Sequence, residues 1–146
     1  MVPVALEQRS AVVPDFLSEA GAWRFLEDFR ALLIETVPED RRVFDWHDPE
    51  HDPQAKYPVD CRINGLARPL MVFALPSDDK VRDAHIALLT FEEWRIPHRS
   101  VGIFRDQEEV NRKVLARFSD ICDKQFSSLD ANRERIQNYV AEALEG

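Results

Sequence analysis

The sequence predicts an α/β protein with a four-stranded mixed sheet in the element order α-β-β-β-α-β-α-α. Three observations carry this. Apolar residues recur at three- and four-residue steps in four segments, alternate with polar residues in two short ones, and run unbroken through Leu70-Met71-Val72-Phe73-Ala74-Leu75. The 146 residues suit one ordinary domain that buries its own core. We assign residues 18–146 to that domain and residues 1–17, which hold Pro3 and Pro14 and show no period, to an irregular N-terminal arm.

From Ser18, the positions Ala22, Trp23, Leu26, Phe29, Leu32 and Leu33 trace one face of an amphipathic helix that should end near Pro38. Arg42-Val43-Phe44-Asp45-Trp46 alternates as a half-buried strand. Tyr57 to Asn64 alternates again, with Val59, Cys61 and Ile63 on one face and Asp60, Arg62 and Asn64 on the other. Asn64-Gly65 marks a turn in a four-residue hairpin loop. The apolar run Leu70 to Leu75 suits a central strand covered on both faces. Ser77-Asp78-Asp79 supplies an N-cap and two acids for a helix whose core stripe is Val81, Ala84, Leu88 and Phe91, ending before Pro97. Ser100 to Phe104 reads as a strand parallel to its predecessor across that helix. Two helices follow, one with the stripe Val110, Val114, Leu115, Phe118, Ile121 and Cys122, the other with Ile136, Tyr139, Val140, Ala143 and Leu144, hinged at Ser127 to Asp130.

The composition, 45% hydrophobic and 32% charged, is that of a globular chain. No segment approaches the ~18 consecutive apolar residues of a membrane span, and the expected location is the cytoplasm. Cys61 and Cys122 are far apart and form no CxxC pair, so they read as free thiols rather than zinc or redox ligands. The formal charge of −8 lies towards the N-terminus: residues 1–60 hold 13 acids and 6 bases, whereas residues 111–146 hold 6 of each. Such a balance disfavours nucleic acid as a partner without forbidding a local basic face. Arg112, Lys113, Arg117 and Lys124, with Arg133 and Arg135, are the candidates for that face, but Asp120, Asp123 and Glu134 interrupt it. The four glycines are dispersed, and no G-x-S-x-G elbow occurs, so neither a phosphate cradle nor a serine-hydrolase site is indicated.

Pro58-Val59-Asp60 puts a carboxylate on the polar face of the second strand, and Asp78-Asp79-Lys80 has acid-x-lysine spacing. Together with the order α-β-β-β-α-β over about residues 18–105, these segments resemble the restriction-endonuclease-like fold of the PD-(D/E)xK superfamily. In that superfamily an Asp of the second core strand and an acid and a lysine of the third hold a divalent metal and orient the attacking water. The resemblance implies Asp60 and Asp79 as ligands of Mg²⁺ or Mn²⁺ and Asp60, Asp79 and Lys80 as catalytic residues. The sequence departs from the pattern in one respect: the third strand, Met71 to Leu75, carries no carboxylate, and Asp79 falls after Pro76 at a helix start, where the helix dipole alone accounts for an acid.

A second constellation, His47, Asp48, Glu50, His51 and Asp52, has the donors of a mixed metal site, but Pro49 and Pro53 indicate a loop that would rather serve as a partner-binding segment. The expectation is therefore a non-catalytic, protein-binding member of a degenerate nuclease-like scaffold with no cofactor. By analogy it would be an inhibitor or accessory factor in a prokaryotic or phage conflict system. The alternative is a Mg²⁺- or Mn²⁺-dependent nuclease using Asp60, Asp79 and Lys80, and a third reading, nucleic-acid mimicry, requires acids gathered on one face. The two C-terminal helices suggest a second copy of the chain as one partner.

Overall fold

The computed structural model describes residues 19–145, so the expected arm over residues 1–17 lies outside the described residues. Helix α1 (Glu19–Thr36) leads through a 3-10 turn into β1 (Arg42–Trp46), followed by β2 (Val59–Ile63), β3 (Leu70–Leu75), α2 (Asp78–Glu93) and β4 (Arg99–Phe104). The chain continues through α3 (Arg112–Ser119), β5 (Lys124–Phe126) and α4 (Arg133–Glu145). The strands lie side by side in chain order. Both β1 and β3 run antiparallel to β2, whereas β4 is parallel to β3 and β5 to β4.

Five strands replace the four expected. The missed strand, Lys124-Gln125-Phe126, is too short to show an alternation, and its only apolar residue continues the periodicity of the helix before it. Tertiary contacts create it: Val101, Gly102 and Ile103 pair with Lys124, Gln125 and Phe126. Just before the pairing, the Asp123 carboxylate accepts the Ser100 N–H at 2.8 Å and the Ser100 hydroxyl at 3.1 Å, while the Asp123 N–H donates back to that hydroxyl at 2.8 Å. Helix α3 is accordingly shorter than its apolar stripe suggested, and Lys124 belongs to β5 rather than to a basic helix face. The β2–β3 connection also exceeds the expected four residues, covering 64–69. Gly65 has φ +83° there, and Arg41 donates to the carbonyls of Asn64 and Gly65 at 3.1 and 3.0 Å, anchoring the loop to the end of α1's following turn.

The sheet is sandwiched. Leu70, Val72 and Ala74 of β3 join Phe29, Leu32 and Leu33 of α1 and Ile136 and Val140 of α4 on one face. On the other, Met71, Phe73 and Leu75 join Val81, Ala84, Leu88 and Phe91 of α2 and Phe118 of α3. Every side chain of β3 is buried, as its uninterrupted apolar run requires, and each large one contributes roughly 1.5–3 kcal/mol through removal from water. Phe118 meets Phe104 edge to face with centroids 6.0 Å apart and lies over Gly102. A Cβ added at Gly102 would stand 2.9 Å from the Phe118 ring and 3.0 Å from Leu75 Cδ1. Gly102→Ala is therefore expected to lower stability by about 1–3 kcal/mol through overpacking, measured as a reduced urea midpoint with an unchanged denaturant slope.

Candidate functional site

Asp60 stands where the sheet opens. The β2–β3 pairing includes Ile63↔Leu70, Arg62↔Met71 and Cys61↔Val72, and it stops short of Asp60. The faces change over here as well: Cys61 and Ile63 pack with α1 and α4, but Val59 packs with the α2 cluster, as does its β1 neighbour Trp46. This corrects the single-face expectation for Val59, Cys61 and Ile63. On β1, the intervening Asp45 takes φ +52°, a conformation that Asp tolerates better than most side chains.

Into this opening Asp60 directs its carboxylate. Oδ2 accepts the Ala74 N–H of β3 at 2.8 Å, replacing a strand-to-strand bond with a side-chain one, and Oδ1 lies 3.4 Å from Lys80 Nζ, which reaches down from the first turn of α2. The Asp60 side chain is 18% exposed and that of Lys80 is 39% exposed. Burial pushes the Asp60 carboxyl above its ordinary value, and the Lys80 charge with the Ala74 N–H offsets only part of that penalty. A cavity of about 320 Å³ adjoins the pair, lined by Lys56, Tyr57 and Pro58 before β2, Phe73 of β3, and Lys80, Asp83, Ala84 and Ile86 of α2.

Of the three residues that the sequence pattern singled out, the structure brings two together. Asp79 is 91% exposed at its side chain and bonds Arg82 at 3.1 Å, away from Asp60. Asp78, two positions before Lys80, accepts the Asn111 N–H at 2.9 Å and ties α2 to the turn before α3. Lys56, Tyr57 and Asp83 escaped sequence reasoning, because no motif links the end of a loop to one face of a later helix.

The acidic loop after β1 is folded onto itself. Asp48 accepts the N–H groups of Glu50 and His51 at 2.8 and 3.1 Å, and His51 Nδ1 lies 3.5 Å from its carboxylate. Burial alone would raise the Asp48 carboxyl, but these amides and the His51 charge together hold it below its ordinary value. Asp52, 3% exposed, accepts the N–H groups of Lys56 and Tyr57 at 2.7 and 2.8 Å, and its carbonyl lies 2.7 Å from His47 Nδ1. His51 stacks on Trp94 with centroids 5.0 Å apart, and Tyr57 meets the same ring edge-on at 5.7 Å. Of the five residues considered for partner binding, Glu50 is exposed with no side-chain bond among the described residues, whereas His47, Asp48, His51 and Asp52 organise the loop that carries Lys56 and Tyr57 to the cavity. Nearby, the Arg62 guanidinium lies 5.0 Å from the Trp46 ring centroid and bonds Asn64, while its buried Nε has no partner among the described residues.

The divalent metal implied by the nuclease resemblance does not fit these residues. Of the carboxylates at the opening, Asp60 is already matched by an ammonium and an amide and Asp83 lies across the cavity on α2, and among the described residues no three His, Cys, Asp or Glu side chains gather at one point. Comparison with known proteins returns no matching family model, curated protein or solved structure.

Two expectations follow. Because the folded-state pKa of Asp60 lies above 3.8, its proton is held more tightly in the folded than in the unfolded chain. The contribution of Asp60 to stability is then greatest below that pH and falls as pH rises through the folded value. Asp60→Asn keeps an acceptor for Ala74 and removes the charge, so it should be more stable than wild type at pH 7 and lose that advantage below pH 3.8; thermal melts at both pH values measure this. For the cysteines, burial pushes the Cys61 thiol up to about 12 and the Cys122 thiol up to about 11, so both should react with a disulfide reagent at pH 8 far more slowly in the native protein than after unfolding.

Proposed function

We propose that the protein is a non-catalytic binding protein whose nuclease-like arrangement serves as a scaffold for engaging another protein. The observation that supports this most directly is the internal neutralisation of Asp60: the Ala74 amide engages one carboxylate oxygen and the Lys80 ammonium lies beside the other. Asp79, the acid expected to join it, is committed to Arg82 in solvent. Large apolar side chains stand exposed instead, Trp23 and Ile34 on α1 and Ile86 and Leu89 on α2, and contacts of this kind supply protein-binding surfaces. An inhibitor or accessory factor in a prokaryotic or phage conflict system remains the role proposed by analogy with the scaffold.

A second reading is favoured by one specific feature, the Asp60–Lys80 pair beside a cavity that also holds Lys56 and Tyr57. Two ammonium groups at the mouth of a cleft can receive a phosphodiester, although a move of Lys80 onto it would leave the mostly buried Asp60 carboxylate without its counter-charge. The two readings separate in a cleavage assay with Mn²⁺ on single- and double-stranded DNA and RNA. The binding-protein reading expects no cleavage, or a trace that Asp60→Ala leaves unchanged. Cleavage abolished by both Asp60→Ala and Lys80→Ala, but retained by Asp79→Ala, would establish the nuclease.

A further inference from the structure

Helix α2 packs one side against the sheet through Val81, Ala84, Leu88 and Phe91, and presents a stripe on the opposite side. Along it come Arg82, Ile86, Leu89 and Glu93, separated by four, three and four residues, the spacing of a helix–helix seam. All four are exposed, Ile86 at 51% and Leu89 at 50%. The Arg82 side chain is 54% exposed and held only by Asp79, itself 91% exposed, an ion pair weak enough to exchange for another. Glu93 makes no ion pair among the described residues.

This stripe reads as its own complement. Rotate a second copy by two-fold symmetry about the midpoint between Ile86 and Leu89, so that the two α2 helices run antiparallel. Ile86 then falls opposite the partner's Leu89, and Arg82 falls opposite the partner's Glu93, each contact occurring twice. The apolar pair is central and the charged pairs flank it, the layout of an isologous interface with a dry centre and a polar rim. In the parallel orientation each charge would meet its own kind, Arg82 facing Arg82 and Glu93 facing Glu93, so the charges select antiparallel packing. Antiparallel helices crossing at a shallow angle keep such a seam in register over three turns.

We infer that α2 is a homodimerisation surface in which two copies of the chain pack antiparallel through Arg82, Ile86, Leu89 and Glu93. The inference names a second copy of the chain as a partner for the Ile86 and Leu89 surface of the proposed binding protein, and because Ile86 also borders the cavity beside Asp60, the oligomeric state is read separately from any cleavage. It places the dimer on α2, where the sequence pointed to the two C-terminal helices. Those helices spend their apolar residues within the chain instead: Phe118 of α3 and Ile136 and Val140 of α4 are buried in the two core clusters.

Sedimentation equilibrium of the full chain up to about 100 µM, a concentration that populates a dimer of micromolar affinity, tests this. Wild type is expected to dimerise. Ile86→Asp should be monomeric, and because that side chain is half exposed its circular dichroism should match the wild type, as should its melting profile at a concentration low enough for both to be monomers. Arg82→Glu and Glu93→Arg should each weaken dimerisation roughly tenfold by setting like charges face to face twice over, and Arg82→Glu combined with Glu93→Arg should restore it. A wild-type chain monomeric throughout that range overturns the inference, as does a dimer indifferent to the single charge reversals or one that the double reversal fails to rescue.

Discussion

Six consecutive apolar side chains in β3 impose the architecture. A strand whose residues alternate between two faces, yet carries nothing polar on either, must be covered on both sides, and Leu70 to Leu75 are buried throughout. Helices α1 and α4 close one face and α2 and α3 the other, so both crossovers that follow β3 run over a single face while the helices at the two ends of the fold cover the opposite one. The antiparallel meander β1-β2-β3 and the parallel run β3-β4-β5 meet at this strand. It is therefore the common wall of both cores and the structural reference for everything placed on the sheet.

The opening beside Asp60 is a local exception to that order. Where β2 departs from β3, the Ala74 N–H would face an apolar gap, and an unsatisfied buried amide costs about as much as the hydrogen bond it lacks. The Asp60 carboxylate meets that need and creates another, the burial of a charge, which Lys80 answers from the next helix. Burial nevertheless keeps the carboxyl above its ordinary value, so the arrangement does not minimise free energy at neutral pH. The same compromise is absent from the acidic loop, where Asp48 and Asp52 point their carboxylates at backbone amides and serve the loop's own folding.

The nuclease resemblance placed Asp60 and Lys80 in one site, but a direct ion pair between them was not legible, because they stand 20 positions apart with a strand between them. Asp79 shows the complementary failure. Adjacent residues on a helix point about 100° apart, so once Lys80 turns down to Asp60, Asp79 must turn out to Arg82 and solvent. Linear spacing treats the two as a unit, whereas helical geometry separates them. Likewise the α2 stripe emerges only after packing has claimed Val81, Ala84, Leu88 and Phe91 and left Arg82, Ile86, Leu89 and Glu93 outside.

The sequence by itself determined the α/β class, the four helices, the first four strands, the doubly covered β3 and the Ser77 cap, because each depends on periodicity or local hydrogen bonding within a few residues. Tertiary structure decided what depended on distant neighbours. It drew Lys124-Gln125-Phe126 into a fifth strand through the Ser100–Asp123 bonds and the β4 edge, moved Val59 to the opposite face from Cys61, and joined Asp60 to Lys80 while excluding Asp79. A three-residue strand has no period to read, and a carboxylate's partner depends on which helix face the core has already consumed. Such features follow from long-range packing, to which no short window of sequence has access.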